Sequence, residues 1–290
     1  MGYTISCYST ALFSTWFFIE ELGLLFDAGD GVSASLLQKS RKVKQVFISH
    51  ADRDHINGLP QFYQLNARPG FPKIYYPKDS GSFPALASFL GKFDPHLSGV
   101  EWEGITENMI FHIKGDIYVE SIRNGHVQVG PEVSKSLSYK VVRKTRRLKS
   151  EFRELSGQEI AKLAKEKGQD FLTQEYREEV LGYSGDTPVE DYARWKNTQT
   201  LIHEATFLTN DPSLNNKRNK HSTLPVVMQM VAKSKVQQLI LSHFSSRYSQ
   251  EEIDGAIRKN CDLYNIQIPV YRVLPGLTYV DVLMQGAVNA

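Results

Sequence analysis

The run Val46-Phe47-Ile48-Ser49-His50-Ala51-Asp52-Arg53-Asp54-His55 carries an apolar segment straight into two imidazoles and two carboxylates. That density is costly for an ordinary loop. It suits divalent cations, which take imidazole and carboxylate donors. Further His and Asp residues follow short apolar segments. Ile117 to Ile122 leads into Asn124-Gly125-His126, and Val180 to Tyr183 leads into Ser184-Gly185-Asp186-Thr187. Thr200 to Ile202 precedes His203-Glu204, and Gln238 to Leu241 precedes Ser242-His243. A lone histidine at a strand end is more often structural than ligating. Five apolar segments that each end on His or Asp point instead to one site, with the sheet fixing positions and the loops supplying donors.

The elements behind these ends are legible. Strands are expected at Tyr3 to Tyr8, Trp16 to Ile19, Gly23 to Phe26 and Lys44 to Ile48, with a short helix around Ser33 to Gln38. Asp27-Ala28-Gly29-Asp30-Gly31 reads as a tight turn. Trp16, Phe17 and Phe18 are consecutive and apolar-flanked, which marks core strand rather than a base-stacking platform. Ser156-Gly157-Gln158-Glu159 fits a capping box opening a helix to Lys167, stopped by Gly168. Ser249 opens another helix running to about Asn260, and a third covers Leu224 to Ala232 from near Pro225.

A chain of 290 residues with 41% hydrophobic content and no repeat or linker reads as one α/β domain over 1–290. No apolar stretch reaches 18 residues, and the start at Met1 reads as a first strand rather than a signal peptide. Only Cys7 and Cys261 are present, without disulfide-framework spacing, so a reducing cytoplasm is expected. Net charge is only +2, but it is unevenly spread. Arg143-Lys144-Thr145-Arg146-Arg147-Leu148-Lys149 packs five basic residues into seven, and Lys217-Arg218-Asn219-Lys220 adds a second knot. Either run alone is as readily a solvated face; two of them beside candidate ligands favour a phosphate-bearing substrate.

Six segments together resemble the ribonuclease Z (tRNase Z, tRNA 3′-endonuclease) family of the metallo-β-lactamase superfamily. They are Phe26-Asp27-Ala28-Gly29; Ser49 to His55 with Gly58-Leu59-Pro60; Ser184-Gly185-Asp186-Thr187; His203-Glu204-Ala205-Thr206; His221-Ser222-Thr223; and Ser242-His243-Phe244-Ser245-Ser246-Arg247-Tyr248. The fourth and sixth are the most specific. One departure stands out: Asp52 occupies the place of the family's second histidine. The resemblance implies an αββα four-layer sandwich with its metal site at one edge of the sheets. It also implies a small exosite-like basic insertion at 140–180, of the short basic subgroup, in which Arg143, Lys144, Arg146, Arg147 and Lys149 bind tRNA. A homodimer is implied as well.

Carried onto this chain, the resemblance gives one cation His50, Asp52, His126 and Asp186, and a second Asp54, His55, Asp186 and His243. Zinc is the family's implied ion. Asp52 opens the first position to harder Mn²⁺ or Mg²⁺, because carboxylate suits harder ions better than imidazole does. Asp54 is expected to orient the nucleophile, His221 to donate the leaving-group proton and Glu204 to orient His221. His203 is expected to satisfy backbone, and His96 and His112 to lie on the surface or in packing. Arg247 and Tyr248 fit a phosphate path or a helix-leading loop equally. The implied activity is removal of the 3′ trailer of precursor tRNA. The alternatives are a phosphodiesterase for small or cyclic nucleotides, and a non-catalytic RNA-binding member with a degraded metal site.

Overall fold

In Ser14-Thr15-Trp16-Phe17-Phe18-Ile19 every residue is buried, so the strand reads as a continuous apolar run yet still obeys the two-residue alternation of a pleat. Phe17 and Ile19 point into one core, while Trp16 and Phe18 point into another. This strand therefore has a packed layer on each face. The computed structural model, which describes residues 2–97, 99–210 and 220–290, extends that arrangement to two sheets.

The first sheet has the order β1 (Ile5–Thr10), β2 (Ser14–Ile19), β3 (Leu24–Phe26), β4 (Gln45–Phe47), β5 (Lys73–Pro77), β6 (Glu101–Ile105), and is parallel from β3 onward. The second comprises β7 (Ile110–Lys114), β8 (Ile117–Arg123), β9 (Leu137–Leu148), β10 (Thr173–Tyr183), β11 (Thr200–Glu204), β12 (Gln238–Ser242) and β13 (Val270–Arg272) in sequential order. It is antiparallel from β7 to β10 and parallel from β10 to β13. Between the sheets Phe17, Phe26 and Phe47 meet Tyr139, Val141, Leu181 and Tyr183. Burying such side chains stabilises by roughly 1.5–3 kcal/mol each, so this layer sets the sheet-to-sheet register.

Helices cover the outer faces. Val32 and Leu36 of α1 (Val32–Leu36), Leu59 and Phe62 of α3 (Leu59–Asn66), and Phe83 of α4 (Ser82–Phe93) pack on the first sheet. The short α2 (Arg53–Ile56) sits between α1 and α3 in sequence. On the second sheet lie α7 (Leu224–Ser234), through Val227, Met228 and Val231, and α8 (Gln250–Tyr264), through Ile253 and Ile257. The four-layer αββα sandwich expected from the resemblance is the observed architecture. No described helix is long and apolar enough to cross a membrane.

The segment at 140–180 carries its basic run on a strand. It is the outer half of β9, paired antiparallel with β10 from Val142↔Glu179 out to Leu148↔Thr173. Together these strands form an arm tipped by α5 (Gly157–Lys167) and α6 (Gln169–Leu172). Charged residues hide the strand from an alternation of apolar and polar positions. What pairs it is opposite charge across the ladder, as with Arg143↔Glu178 and Arg146↔Glu175. The Ser156–Glu159 capping box is formed as expected. Helix α8 runs four residues past Asn260 before Asn265 caps it in the left-handed region. Of the second basic knot, Lys217, Arg218 and Asn219 lie outside the described residues.

Candidate metal centre

One edge of the sandwich gathers the strand ends. Strand β4 leads through Ser49 and His50 into α2, which carries Asp54 and His55; β8 leads to His126, β10 to Asp186, β12 to His243, and β11 ends on Glu204. The two sheets are tied at this edge by the Leu137 N–H donating to the Ser49 carbonyl at 2.8 Å.

Four potential ligand clusters overlap there: Asp54, His55, Asp186 and His243; His50, Asp52 and His126; His126, Asp186 and His221; and Glu204, His221 and His243. Asp186 Oδ2 stands 3.2 Å from His243 Nε2, 3.3 Å from His55 Nε2 and 3.7 Å from His50 Nε2. Asp52 Oδ2 lies 3.4 Å from His126 Nε2 and 3.5 Å from His50 Nε2, with its side chain 46% exposed where its neighbours are buried. Asp54 Oδ2 lies 3.3 Å from His243 Nε2 and accepts the Leu12 N–H at 2.9 Å.

The hydrogen bonds behind these groups fix the tautomers. Ser49 Oγ donates to Asp27, so the His50 Nδ1–H donates to Ser49 Oγ at 2.9 Å. His55 Nδ1 donates to Asp27 Oδ2 at 2.7 Å and His126 Nδ1 to the Lys220 carbonyl at 2.9 Å. Thr206 Oγ1 donates to Glu204 and so accepts from His243 Nδ1 at 2.9 Å. All four imidazoles therefore turn a lone-pair Nε2 inward, as a metal-ligating histidine does. The Nε2 atoms of His50 and His55 are buried without any hydrogen-bond partner. Orphaned acceptors of this kind are rare unless an ion or water completes them, so the donor set fits a divalent cation. His243 reaches its place with φ 60°, a left-handed conformation uncommon outside glycine and concentrated at functional sites.

Electrostatics agree. The imidazoles of His126 and His50 beside it hold Asp52 far below the usual carboxylate range. Burial alone would raise Asp54 and Asp186, but His55 and His243 beside them outweigh it and hold both ionised. Burial likewise pushes His55 and His126 down, and the surrounding carboxylates reverse that and raise them. His50, buried beside two other imidazoles, is lowered. The site thus presents a negative potential in which a cation and protons compete for the same Nε2 atoms.

At the rim, His221 Nδ1 faces Glu204 Oε1 at 3.2 Å and Asp186 Oδ2 at 3.8 Å. Burial would lower its pKa, but Glu204 and Asp186 together bring it up to about 9. Glu204 is itself held by the Thr187 and Thr206 N–H groups.

The structure thus brings together His50, Asp52, Asp54, His55, His126, Asp186, His243, His221 and Glu204. It leaves Arg143, Lys144, Arg146, Arg147 and Lys149 on the arm, mostly ion-paired: Arg143 with Asp116 and Glu178, Lys144 with Glu120, Arg146 with Asp170 and Arg147 with Glu178. His203 is buried and bonds the Glu204 carbonyl, while His96 and His112 are exposed. Arg247 lies over Phe207, whose ring meets His221 edge-on. A 480 Å³ cavity lined by Lys140, Arg177 and Arg194 includes none of the candidate ligands. Sequence reasoning gave no role to Asp27 and Thr206, which hydrogen-bond His55 and His243, or to Tyr183, which hydrogen-bonds Asp27. Asp27 stands directly after a fully apolar strand, and neither the turn nor the Phe26-Asp27-Ala28-Gly29 segment assigns it a role at the site.

The chain is 30% identical over 260 residues to ribonuclease Z of Halalkalibacterium halodurans, covering 80% of this chain and 81% of that protein. It is 27% identical over 274 residues to the chloroplastic tRNase Z of Arabidopsis thaliana, covering 89% and 72%. Among solved structures, the short form of human tRNase Z superposes with a TM-score of 0.58 at 18% identity, covering 95% and 98%. No protein-family model matches the chain.

Proposed function

Because this chain belongs to the ribonuclease Z family, we propose that it is a metal-dependent endoribonuclease that removes the 3′ trailer of precursor tRNA. The observation that carries the metal-dependent part is the pair of buried, unpartnered Nε2 atoms of His50 and His55 beside Asp186. Two divalent cations, zinc in the family's pattern, would be held by His50, Asp52, His126 and Asp186, and by Asp54, His55, Asp186 and His243. Such ions supply Lewis-acid polarisation of phosphoryl oxygens and a nucleophile near neutral pH. The chain's own residues do the rest. Asp54, its Oδ2 pinned by the Leu12 N–H, orients the attacking oxygen. His221 holds a proton for the leaving ribose oxygen, and Glu204 keeps its Nδ1 turned inward.

Asp52 adds negative charge where an imidazole would be neutral, which favours Mn²⁺ or Mg²⁺ over zinc at that position. The arm residues Arg143, Lys144, Arg146, Arg147 and Lys149 bind the tRNA backbone, from a second subunit in a homodimer, and the free cysteines suit a reducing cytoplasm. The ion pairs along the arm favour a second reading, hydrolysis of a small or cyclic phosphodiester that needs no arm. An assay of precursor tRNA bearing a 3′ trailer, with Zn²⁺, Mn²⁺ or Mg²⁺ and with cyclic mononucleotide as competitor substrate, separates them. Turnover of the cyclic nucleotide alone would sink the tRNA reading.

A further inference from the structure

The phenol of Tyr183 is 2% exposed, with its ring stacked on Phe26 at 4.9 Å and tilted against Phe17 at 5.6 Å. Its hydroxyl donates to Asp27 Oδ2, on the opposite sheet. That single oxygen also takes the Ser49 hydroxyl at 2.8 Å and His55 Nδ1 at 2.7 Å, while Oδ1 takes the Ser49 N–H at 2.6 Å. Asp27 is fully buried at φ 54°. Four donors convergent on one carboxylate leave it a single plane and a single rotamer, and they stabilise a charge that burial would otherwise make costly.

We propose that Tyr183 is a positioning residue of the metal centre, acting through Asp27 to set the orientation of His55. The inference rests on the metal-centre reading above. Its geometric basis is that the end of β10 and the turn after it flank His55 on both nitrogen sides. Tyr183 reaches Nδ1 by way of Asp27, and Asp186, three residues further along the chain, stands 3.3 Å from Nε2. Tyr139 offers the internal comparison. It is equally buried and crosses the same interface, but its hydroxyl donates to the Ile48 carbonyl at 2.6 Å and orients no ligand side chain.

The test is cation affinity, measured by chelator competition with Zn²⁺ and Co²⁺ on the full chain, together with the Co²⁺ d–d spectrum and the melting temperature in excess chelator. Tyr183→Phe keeps the ring stacking and removes only the donor. It is expected to weaken affinity about 10- to 100-fold, the usual effect of losing a group that orients a ligand, and to change the Co²⁺ spectrum. Tyr139→Phe is expected to keep wild-type affinity and spectrum. On an Asp27→Asn background Tyr183→Phe is expected to add little, because the two act in series. Wild-type affinity and spectrum in Tyr183→Phe, an equal loss in Tyr139→Phe, or full additivity with Asp27→Asn would each overturn the inference while leaving the metal centre standing. No cation uptake by the wild type would overturn both. If Tyr183→Phe does not fold in chelator, 3-fluorotyrosine placed at 183 keeps ring and hydroxyl. Its ¹⁹F resonance is expected to shift on cation binding, and an unchanged resonance counts against the role.

Discussion

His221 Nδ1 lies 3.2 Å from Glu204 Oε1, and the other oxygen of that carboxylate accepts the Thr206 hydroxyl at 2.6 Å. The imidazole is thus fixed by a carboxylate that is itself fixed. His221→Ala is expected to lower kcat on precursor tRNA by on the order of 10² to 10⁴, with cation content unchanged. Glu204→Gln, which keeps the shape but removes the charge facing His221, is expected to lower kcat less than His221→Ala does. Single-turnover rates with metal analysis check both; a His221→Ala enzyme of normal rate would remove the proton-donor assignment.

Asp52 is the exposed member of an otherwise buried set, yet one of its oxygens reaches both His50 and His126. Restoring imidazole there with Asp52→His is expected to raise zinc retention after exhaustive dialysis and to weaken stimulation by Mn²⁺. Equal zinc stoichiometry and equal activity in the two proteins would show that the carboxylate does not choose the ion.

The candidate ligands were legible because each stands at or just past the end of an apolar segment, and strand ends are where a sheet holds donors rigidly. The groups that aim them were not. Thr206 and Tyr183 have no spacing that distinguishes them from core or loop residues, and their role exists only once β10, β11 and β12 lie side by side. Asp27 stands 22 residues from its Ser49 partner and 28 from His55, separations at which no local pattern survives. The outer halves of β9 and β10 escaped for another reason. Their stability comes from cross-strand ion pairs and the Arg147 guanidinium stacked 3.5 Å over Tyr176, not from a buried face.

That ion pairing ranks the arm residues. Arg146 and Arg147 have side chains 54% and 50% exposed, whereas Lys144 is 20% exposed and lies near Glu120. Arg146→Ala and Arg147→Ala are expected to raise KM for precursor tRNA several-fold and to reduce the slope of log binding constant against log salt by about 1 each. Lys144→Ala is expected to do less, and hydrolysis of a small phosphodiester is expected to be unchanged in all three. A uniform loss on both substrates would point to damage at the metal centre instead.

Glu179 ties the base of the arm to the sheet. Its carboxylate accepts Lys140 Nζ at 2.9 Å, an Arg177 guanidinium N–H at 2.8 Å and the Thr198 hydroxyl at 3.0 Å. Burial would raise its pKa, but these donors outweigh burial and hold it below the ordinary glutamate value. A carboxyl whose folded pKa is depressed adds stability that is complete above its unfolded pKa, about 4.3, and fades as pH falls through the folded value. Glu179→Gln is therefore expected to cost about 1–3 kcal/mol at pH 7, since two cations lose their charged acceptor. The gap from wild type should close below about pH 4 as the native carboxyl takes up its proton. Urea melts of both proteins between pH 3 and pH 8 check the sign: a gap that widened toward acid would mean that the buried carboxyl destabilises the fold.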